Sequence, residues 1–226
     1  MKIDLAPHGQ PGTLLVVCGF DGSGKTTLEE ALVAAVAPVR PCVATWTPTA
    51  WWRQDANIRR TLYGEGEGQV LPEDALMHFN LADCHAHQAN VILPALARGE
   101  VVIGNRYLYD MLALFEARGY TQPEWLPAAM SGLVQPDFSF VIDGSAELMV
   151  DRVVRRDGAR EGRFDQDVAF VERFNTALRQ IAEDNDLTLL QTDADPLSNL
   201  KQCLEVLSGN VAGMTSVATP AGLQVS

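Results

Sequence analysis

Positive charge is scarce in this chain of 226 residues. Lysine and arginine together number 17 against 29 aspartates and glutamates, which gives a formal net charge of −12. A protein of that sign repels phosphate backbones and anionic lipids, so nucleic acid and membrane surfaces are not expected as partners. Any anionic small molecule that the chain binds must therefore meet a local concentration of cations.

Other absences narrow the cellular setting. The four cysteines are widely spaced and form no C-x-x-C pair, which argues against a disulfide framework and favours a reducing cytoplasm. No apolar run approaches the length of a membrane span, and the first residues contain no signal-peptide core. We expect a soluble cytoplasmic protein with one domain over residues 13–207, a loose leader over 1–12 and a disordered tail over 208–226.

One glycine-rich stretch is the most specific motif in the chain. Residues 19–26, Gly-Phe-Asp-Gly-Ser-Gly-Lys-Thr, fit G-x-x-x-x-G-K-[ST], the pattern of a phosphate-binding P-loop. Its glycines let backbone N–H groups turn toward an anion, and the helix that follows adds partial positive charge. The pattern predicts that Lys25 reaches the β- and γ-phosphates of a nucleotide and that the Thr26 hydroxyl holds Mg²⁺. The other predicted phosphate-binding residues are Gly22, Ser23, Gly24 and Thr27.

Five apolar runs separated by helical stretches predict the fold. They cover residues 13–18, 42–45, 101–104, 138–143 and 188–192. Strands that alternate with helices form a parallel sheet, and ligands bind at the carboxyl ends of its strands. We expect an α/β P-loop NTPase fold with a five-stranded parallel sheet and helices on both faces. One long helix is predicted from Pro72 toward Arg98, with a kink at Pro94.

Arginines are concentrated in one segment of this acidic chain. Within twelve positions the sequence contains Arg152, Arg155, Arg156, Arg160 and Arg163. Runs of like charge usually form a solvated face, but this concentration favours a phosphate-binding lid over about residues 152–165. Arg106 also favours phosphate binding, because it follows the third predicted strand at the edge where ligands bind.

The order of these motifs resembles the thymidylate kinase family of nucleoside monophosphate kinases, over roughly residues 13–207. The resemblance rests on the P-loop, on residues 93–107, which end in Asn-Arg-Tyr, on the arginine-rich segment, and on residues 163–165, which look like the lid-closing motif of the family. It implies transfer of a phosphoryl group from ATP, with Mg²⁺, to a nucleoside monophosphate, either dTMP or a related or modified nucleotide. It also implies a homodimer.

The resemblance assigns roles in the transfer as well. Phosphoryl transfer depends mainly on alignment and on cancellation of charge, which Lys25, Mg²⁺ and Arg106 are expected to supply. In members whose P-loop lacks an arginine the lid supplies one, so Arg156 and Arg160 are the expected lid residues.

The acceptor-binding residues implied by the resemblance are Asp21, Arg106, Tyr107, Asn80 and Cys84. Asp21 looks like the acid that contacts the sugar 3′-hydroxyl, and Tyr107 looks like the residue that crowds a ribose 2′-hydroxyl. Asn80 and Cys84 stand where the family places a phenylalanine that stacks on the base and an arginine that reads thymine. The family usually has aspartate where this chain has Asn105, so one acid near the metal is missing.

Other functions remain open at this stage. A kinase for a nucleoside or another alcohol would need a carboxylate base, and Thr47 occupies the region where related deoxynucleoside kinases carry one. This favours an acceptor that is already anionic, unless Asp21 or Asp110 acts as the base. The sequence contains no Asn-Lys-x-Asp motif, which argues against a GTPase switch. A catalytically weak nucleotide-binding protein is the remaining alternative.

Three sets of side chains have two interpretations each. The helix residues His78, Cys84, His85 and His87 resemble zinc ligands, but no second ligand cluster accompanies them, and ordinary helix residues are expected. Asp143 either lies behind the ligands of a magnesium ion or forms a turn at the end of its strand. Trp46, Trp51 and Trp52 have two interpretations as well: stacking on a base, or packing at the edge of the sheet, which is expected for at least two of them.

Overall fold

A five-stranded parallel β-sheet forms the centre of the computed structural model, which describes residues 2–160, 162–193 and 196–210. The strands are β1 (Thr13–Cys18), β2 (Cys42–Trp46), β3 (Val101–Asn105), β4 (Phe138–Asp143) and β5 (Thr188–Gln191). Their order across the sheet is β2-β3-β1-β4-β5, and every pairing is parallel. The predicted parallel sheet is confirmed.

Helices cover both faces of this sheet. They are α1 (Lys25–Val36), α2 (Ala50–Gln54), α3 (Ala56–Tyr63), α4 (Glu73–His87), α5 (Leu93–Ala97), α6 (Leu108–Ala117), α7 (Leu126–Met130), α8 (Ala146–Asp157), α9 (Val168–Asp184) and α10 (Pro196–Asn210). Among the described residues, no helix has the length and apolar character needed to cross a membrane.

The core lies in two layers because side chains alternate along each strand. In β1, Leu14 and Val16 belong to one buried cluster and Leu15 and Val17 to the other. Helices α4, α6 and α9 supply apolar residues to the first cluster, whereas α1 and α10 pack on the second. The first cluster reaches the edge where the strands end through Phe20, Trp52 and Tyr107, and ligands bind at this edge in parallel sheets.

The long helix predicted toward Arg98 is divided in the structure. Between α4 and α5, residues Gln88–Ile92 form a π-helix in which the Leu93 N–H donates to the Gln88 carbonyl, five residues back. Pro94 lies in the first turn of α5. The π-helical turn directly precedes the proline, whose ring and missing N–H disturb the turn before it. The kink at Pro94 stays a prediction.

The leader is not loose. Leu5 is buried, Ala6 forms a parallel bridge with Val134, and the Ile3 N–H donates to Asn185 Oδ1 at 2.7 Å. At the other end, α10 continues to Asn210 and includes the first three residues of the predicted tail. The rest of the predicted tail, 211–226, lies outside the described residues.

Candidate active site

The P-loop joins β1 to α1 and leaves the start of that helix open. Gly24 is the N-cap residue, with φ of 101°, and no described side chain caps the helix. The first N–H groups of a helix lack intrahelical acceptors, so they are available to phosphate oxygens. Gly22 has φ of 81°, and a Cβ there would lie 2.3 Å from the Met149 carbonyl oxygen of α8. Only glycine fits this position.

A cavity of about 660 Å³ follows the P-loop, and we call it the donor cavity. Each predicted phosphate-binding residue lines it: Gly22, Ser23, Gly24, Lys25, Thr26 and Thr27. Asn105, the last residue of β3, and Arg106, which follows it, also line this cavity.

Lys25 is buried and donates from Nζ to the Phe20 carbonyl at 2.6 Å. Burial lowers the pKa of its ammonium group, and the nearby Arg106 lowers it further, to about 7, against the opposing charges of Asp21 and Asp110. A polyphosphate would reverse this effect by placing negative charge beside Nζ. Full protonation of Lys25 at neutral pH therefore depends on a bound anionic ligand.

The donor cavity suits a magnesium ion that arrives with a nucleotide. No group of three or more His, Cys, Asp or Glu side chains in the described part of the chain could hold a metal by itself. Mg²⁺ prefers oxygen ligands and usually takes most of them from water and substrate phosphates. The Thr26 hydroxyl and the Asn105 amide oxygen are oxygen donors on residues that line this cavity, so the residues fit the ion.

Arg106 is fixed in place by carbonyl and carboxylate groups. Its φ of 69° is a left-handed conformation, and its own N–H donates to the Val17 carbonyl at 2.8 Å. Nη2 donates to Asp21 Oδ1 at 2.5 Å, and Nη1 donates to the Gly19 carbonyl at 3.0 Å. Burial raises the pKa of Asp21, but the charges of Arg106 and Lys25 outweigh it and hold that pKa at about 2. Asp21 is therefore a carboxylate at neutral pH.

Asp110 has a structural part in the same cluster. Its Oδ1 accepts from the Gly19 N–H at 2.8 Å and from Arg106 Nη1 at 3.3 Å, while its Oδ2 accepts from the Tyr107 N–H at 3.2 Å. The carboxylate thus ties the P-loop to the start of α6. Both acids that sequence reasoning considered as a base are ion-paired to Arg106.

A second cavity, of about 230 Å³, lies between the P-loop, α4 and α6, and we call it the acceptor cavity. Among its lining residues are Asp21, Arg106, Tyr107 and Asn80, all predicted to bind the acceptor. The Tyr107 ring is held by a hydrogen bond from its hydroxyl to the Val134 carbonyl at 2.6 Å. The structure thus brings four of the five predicted acceptor residues to one space.

Cys84 is the fifth, and it does not line the acceptor cavity. Its thiol donates to Asn80 Oδ1 at 3.4 Å. Burial, together with the charge of Asp83, raises the pKa of Cys84 to about 12, so the thiol remains a donor at neutral pH. With the amide oxygen of Asn80 occupied by Cys84, the amide nitrogen is left for a ligand.

Trp52 lines the acceptor cavity as well, and sequence reasoning did not separate it from the other two tryptophans. Its indole N–H is buried and has no hydrogen-bond partner among the described residues. Trp51 instead stacks on Phe79, with ring centroids 6.1 Å apart, and is largely exposed. The period of α2 could have distinguished them, because adjacent helix positions face different directions.

The arginines of α8 differ in what they contact. Arg152 Nη1 donates to the Gly22 carbonyl at 3.0 Å, and Arg156 also lines the donor cavity, where Asp157 pairs with it at 2.8 Å. Arg160 lies outside that cavity, 3.7 Å from Glu65. Arg152 was not among the predicted catalytic residues, although its spacing of four from Arg156 places both on one face of the helix.

The lid segment after α8 is attached to the end of α3. Arg163 pairs with Asp165 at 2.6 Å and with Glu65 at 2.9 Å. Tyr63 stacks on Phe164, with centroids 5.3 Å apart, and both rings line the acceptor cavity. The lid and α3 thus cover the acceptor cavity together.

The remaining candidates have structural partners. Asp143 pairs with Arg179 of α9 at 2.9 Å, which favours a structural part for this acid. His85 Nε2 lies 2.9 Å from the Ala129 carbonyl, and His87 Nε2 lies 2.6 Å from Thr45 Oγ1. These two histidines have separate hydrogen-bond partners.

Comparison with known proteins identifies the family. A family model described as thymidylate kinase matches residues 17–202. The chain belongs to the thymidylate kinase family. A thymidylate kinase of Cereibacter sphaeroides is 35% identical over 185 residues, which cover 78% of this chain and 84% of that protein. One from Bradyrhizobium sp. is 30% identical over 199 residues, covering 84% and 87%.

Solved structures of thymidylate kinases have the same fold. The enzyme from Candida albicans superposes with a TM-score of 0.70 at 18% identity, covering 88% of this chain and 92% of the other. The enzyme from Ehrlichia chaffeensis gives 0.63 at 20% identity, covering 87% and 98%. The P-loop NTPase fold is thereby confirmed. As a member of the thymidylate kinase family, the chain is a nucleotide-binding phosphotransferase of the nucleoside monophosphate kinase type.

Proposed function

We propose that the enzyme transfers the γ-phosphoryl group of ATP, with Mg²⁺, to the phosphate of dTMP or a related or modified nucleotide. The observation that carries this proposal is that the donor and acceptor cavities share Asp21 and Arg106. Two phosphates, one in each cavity, would both contact the Arg106 guanidinium. This group suits two phosphates because it is planar and always charged.

On the donor side, the P-loop N–H groups and Lys25 bind the triphosphate. Arg152 and Arg156 face the same cavity and add positive charge. Magnesium, held by the Thr26 hydroxyl and near Asn105, would neutralise charge on the β- and γ-phosphate oxygens. These groups act by position and charge, which is the main requirement of phosphoryl transfer.

On the acceptor side, Arg106 holds the acceptor phosphate and the Asp21 carboxylate accepts from the sugar hydroxyl. The amide N–H₂ of Asn80, oriented by Cys84, donates to the base. An N–H donor suits the 4-carbonyl of thymine or uracil and does not suit the amino group of cytosine. Tyr107 restricts the space beside the sugar, which favours a 2′-deoxy nucleotide.

A monophosphate acceptor suits this site better than a nucleoside. A nucleoside hydroxyl needs a base to take its proton, and both nearby acids, Asp21 and Asp110, are paired with Arg106. A phosphate is already an anion and needs none.

The test is ADP release from Mg·ATP across a panel of nucleoside monophosphates and nucleosides, with Lys25→Ala as the blank. We expect turnover with dTMP or a 5-modified deoxyuridine monophosphate, little with dCMP, and loss of turnover in the blank. ATP binding without turnover on any acceptor would reject the proposal and favour a binding role.

We also propose a cytoplasmic homodimer. The four cysteines lie in the described part of the chain and are free thiols, which suits a reducing compartment. Light scattering during size-exclusion chromatography is expected to give twice the chain mass of 24.6 kDa. A monomer at micromolar concentration would contradict the dimer.

A further inference from the structure

Glu29 is a buried acid whose hydrogen-bond partners, Trp46 and Asn105, line the donor cavity. It lies in α1, one turn after Lys25, and only 5% of its surface is exposed. Trp46 Nε1 donates to its two oxygens at 3.1 and 3.0 Å, and Asn105 Nδ2 donates to Oε2 at 2.6 Å. These two donors are the last residues of β2 and β3.

Both donors to this acid are neutral. In the described ranges, no Lys, Arg or His nitrogen lies within 4.0 Å of the Glu29 carboxylate. A buried carboxylate without a cation is costly for a fold. A nearby cation that arrives with a ligand would reduce this cost, and the donor cavity is where such a cation is expected.

Asn105 connects Glu29 to that cavity. The nitrogen and oxygen of an amide lie in one plane and point in different directions from the carbonyl carbon, so a nitrogen that donates to Glu29 turns the oxygen away from it. Asn105 lines the donor cavity, and Thr26 lines the same cavity three residues before Glu29. The hydrogen bond of 2.6 Å therefore fixes the direction of the Asn105 oxygen.

We infer that Glu29 is a positioning residue of the magnesium site: its carboxylate holds the Asn105 amide so that the amide oxygen receives the metal ion or one of its waters. Glu29 also supplies the negative charge that an aspartate at position 105 would have carried, and it does so from behind the Asn105 side chain. This inference rests on the proposed use of Mg·ATP.

The two residues explain each other. An aspartate at 105 would place a second carboxylate about where the amide nitrogen now meets Glu29, and two carboxylates at that distance cannot both be ionised without a large cost. Asparagine is therefore the side chain that fits beside Glu29. Asn105→Asp is expected to damage the site, although it restores the residue usual in the family.

The test compares wild type with Glu29→Gln, Asn105→Asp and the double variant, using Glu30→Gln, an exposed neighbour in α1, as the matched control. Fluorescent ATP analogue binding is measured with EDTA and across a magnesium titration. We expect E29Q to change the affinity for the ATP analogue in EDTA less than twofold. It should raise the midpoint of the magnesium titration about tenfold, which is the lower end of the effect measured when the hydrogen-bond partner of a metal ligand is removed. N105D should raise it as well, and E29Q/N105D should recover most of the loss.

Equal magnesium midpoints for E29Q and E30Q, with ATP binding intact, would overturn the inference. So would a double variant worse than either single one. If E29Q does not fold, Asn105→Ala replaces it, since a purely structural role for the pair predicts an unchanged midpoint and the inference predicts a rise. Absence of ATP binding by the wild type would instead reject the proposed function, so the two failures are distinguishable.

Discussion

The ammonium group of Lys25 shares a buried space with the Arg106 guanidinium, and this lowers its pKa to about 7. Above pH 7 the ligand-free lysine loses its proton, whereas a bound triphosphate restores it. Nucleotide binding at pH 8 should therefore take up nearly one proton, and affinity should fall up to tenfold per pH unit above 7. Calorimetry in two buffers of different ionisation enthalpy measures this uptake.

The control for that measurement is Lys25→Met, which has no titrating group at this position. This variant should bind nucleotide more weakly, and its binding enthalpy should lack the difference between buffers that proton uptake by Lys25 causes. A wild-type binding enthalpy that is the same in both buffers would contradict the pKa.

Arg106 serves both cavities, so its geometry is expected to matter as well as its charge. Arg106→Lys keeps the charge but loses the planar pair of donors that contact Asp21 and the Gly19 carbonyl. We expect kcat/KM for the acceptor to fall by about 10²–10³, as for the loss of one donor to a transition-state oxyanion. Arg98→Lys, an exposed arginine paired with Glu100, is the control and should have wild-type kinetics.

At the scale of elements, the lid depends on one carboxylate. Glu65 lies after α3 and pairs with Arg59, Arg160 and Arg163. Glu65→Gln should loosen the cover of the acceptor cavity and raise the acceptor KM roughly threefold to tenfold, with a smaller effect on kcat, since partly exposed pairs contribute about 0.2–1 kcal/mol each. High salt should reduce the difference between variant and wild type.

The matched control is Glu67→Gln, an exposed acid of the same loop. It should leave the acceptor KM unchanged at every salt concentration. Equal effects of the two substitutions would mean that loop charge, and not the contact with Arg163, controls the lid.

The elements show what the sequence could and could not predict. The strands follow from apolar runs, and the P-loop follows from local geometry, so both were predicted nearly to the residue. The last residues of β2 and β3, Trp46 and Asn105, were not included in the predicted strands. Both side chains donate to Glu29 of α1, a partner that is distant in the sequence. The π-helix before Pro94 depends on hydrogen bonds five residues apart, which periodicity does not reveal.

Contacts between distant positions were beyond sequence reasoning altogether. Glu29 and Asn105 are 76 positions apart, and Arg152 reaches the Gly22 carbonyl across 130. Neither pair shares a motif, since each results from how α1 and α8 pack on the sheet. The position of Cys84 in the sequence predicted that it binds the acceptor. In the structure Asn80 lines the acceptor cavity and Cys84 lies behind it, which the sequence does not reveal.

At the scale of the molecule, the acceptor cavity shares Phe20, Trp52 and Tyr107 with the first buried cluster, whereas Lys25 belongs to neither cluster. Substitution of Lys25 should therefore leave unfolding largely unchanged, and a ligand of the donor cavity should raise stability through binding alone. At 100 times its Kd, Mg·ATP should add about 2.7 kcal/mol and raise Tm by about 5–10 °C. Differential scanning fluorimetry should show no such shift for Lys25→Ala, while both proteins melt alike without nucleotide.

The close contact between Gly22 and Met149 has a consequence for the arginines of the predicted lid. Since α8 touches the P-loop backbone and Arg152 grips it from the same helix, Arg156 cannot move far without disturbing the phosphate site. Helix α8 ends at Gly158, whose φ of 77° is a left-handed conformation that glycine adopts readily. Arg160 lies beyond Gly158, so we expect Arg160 to change position when ligands bind and Arg156 to keep its place beside the donor cavity.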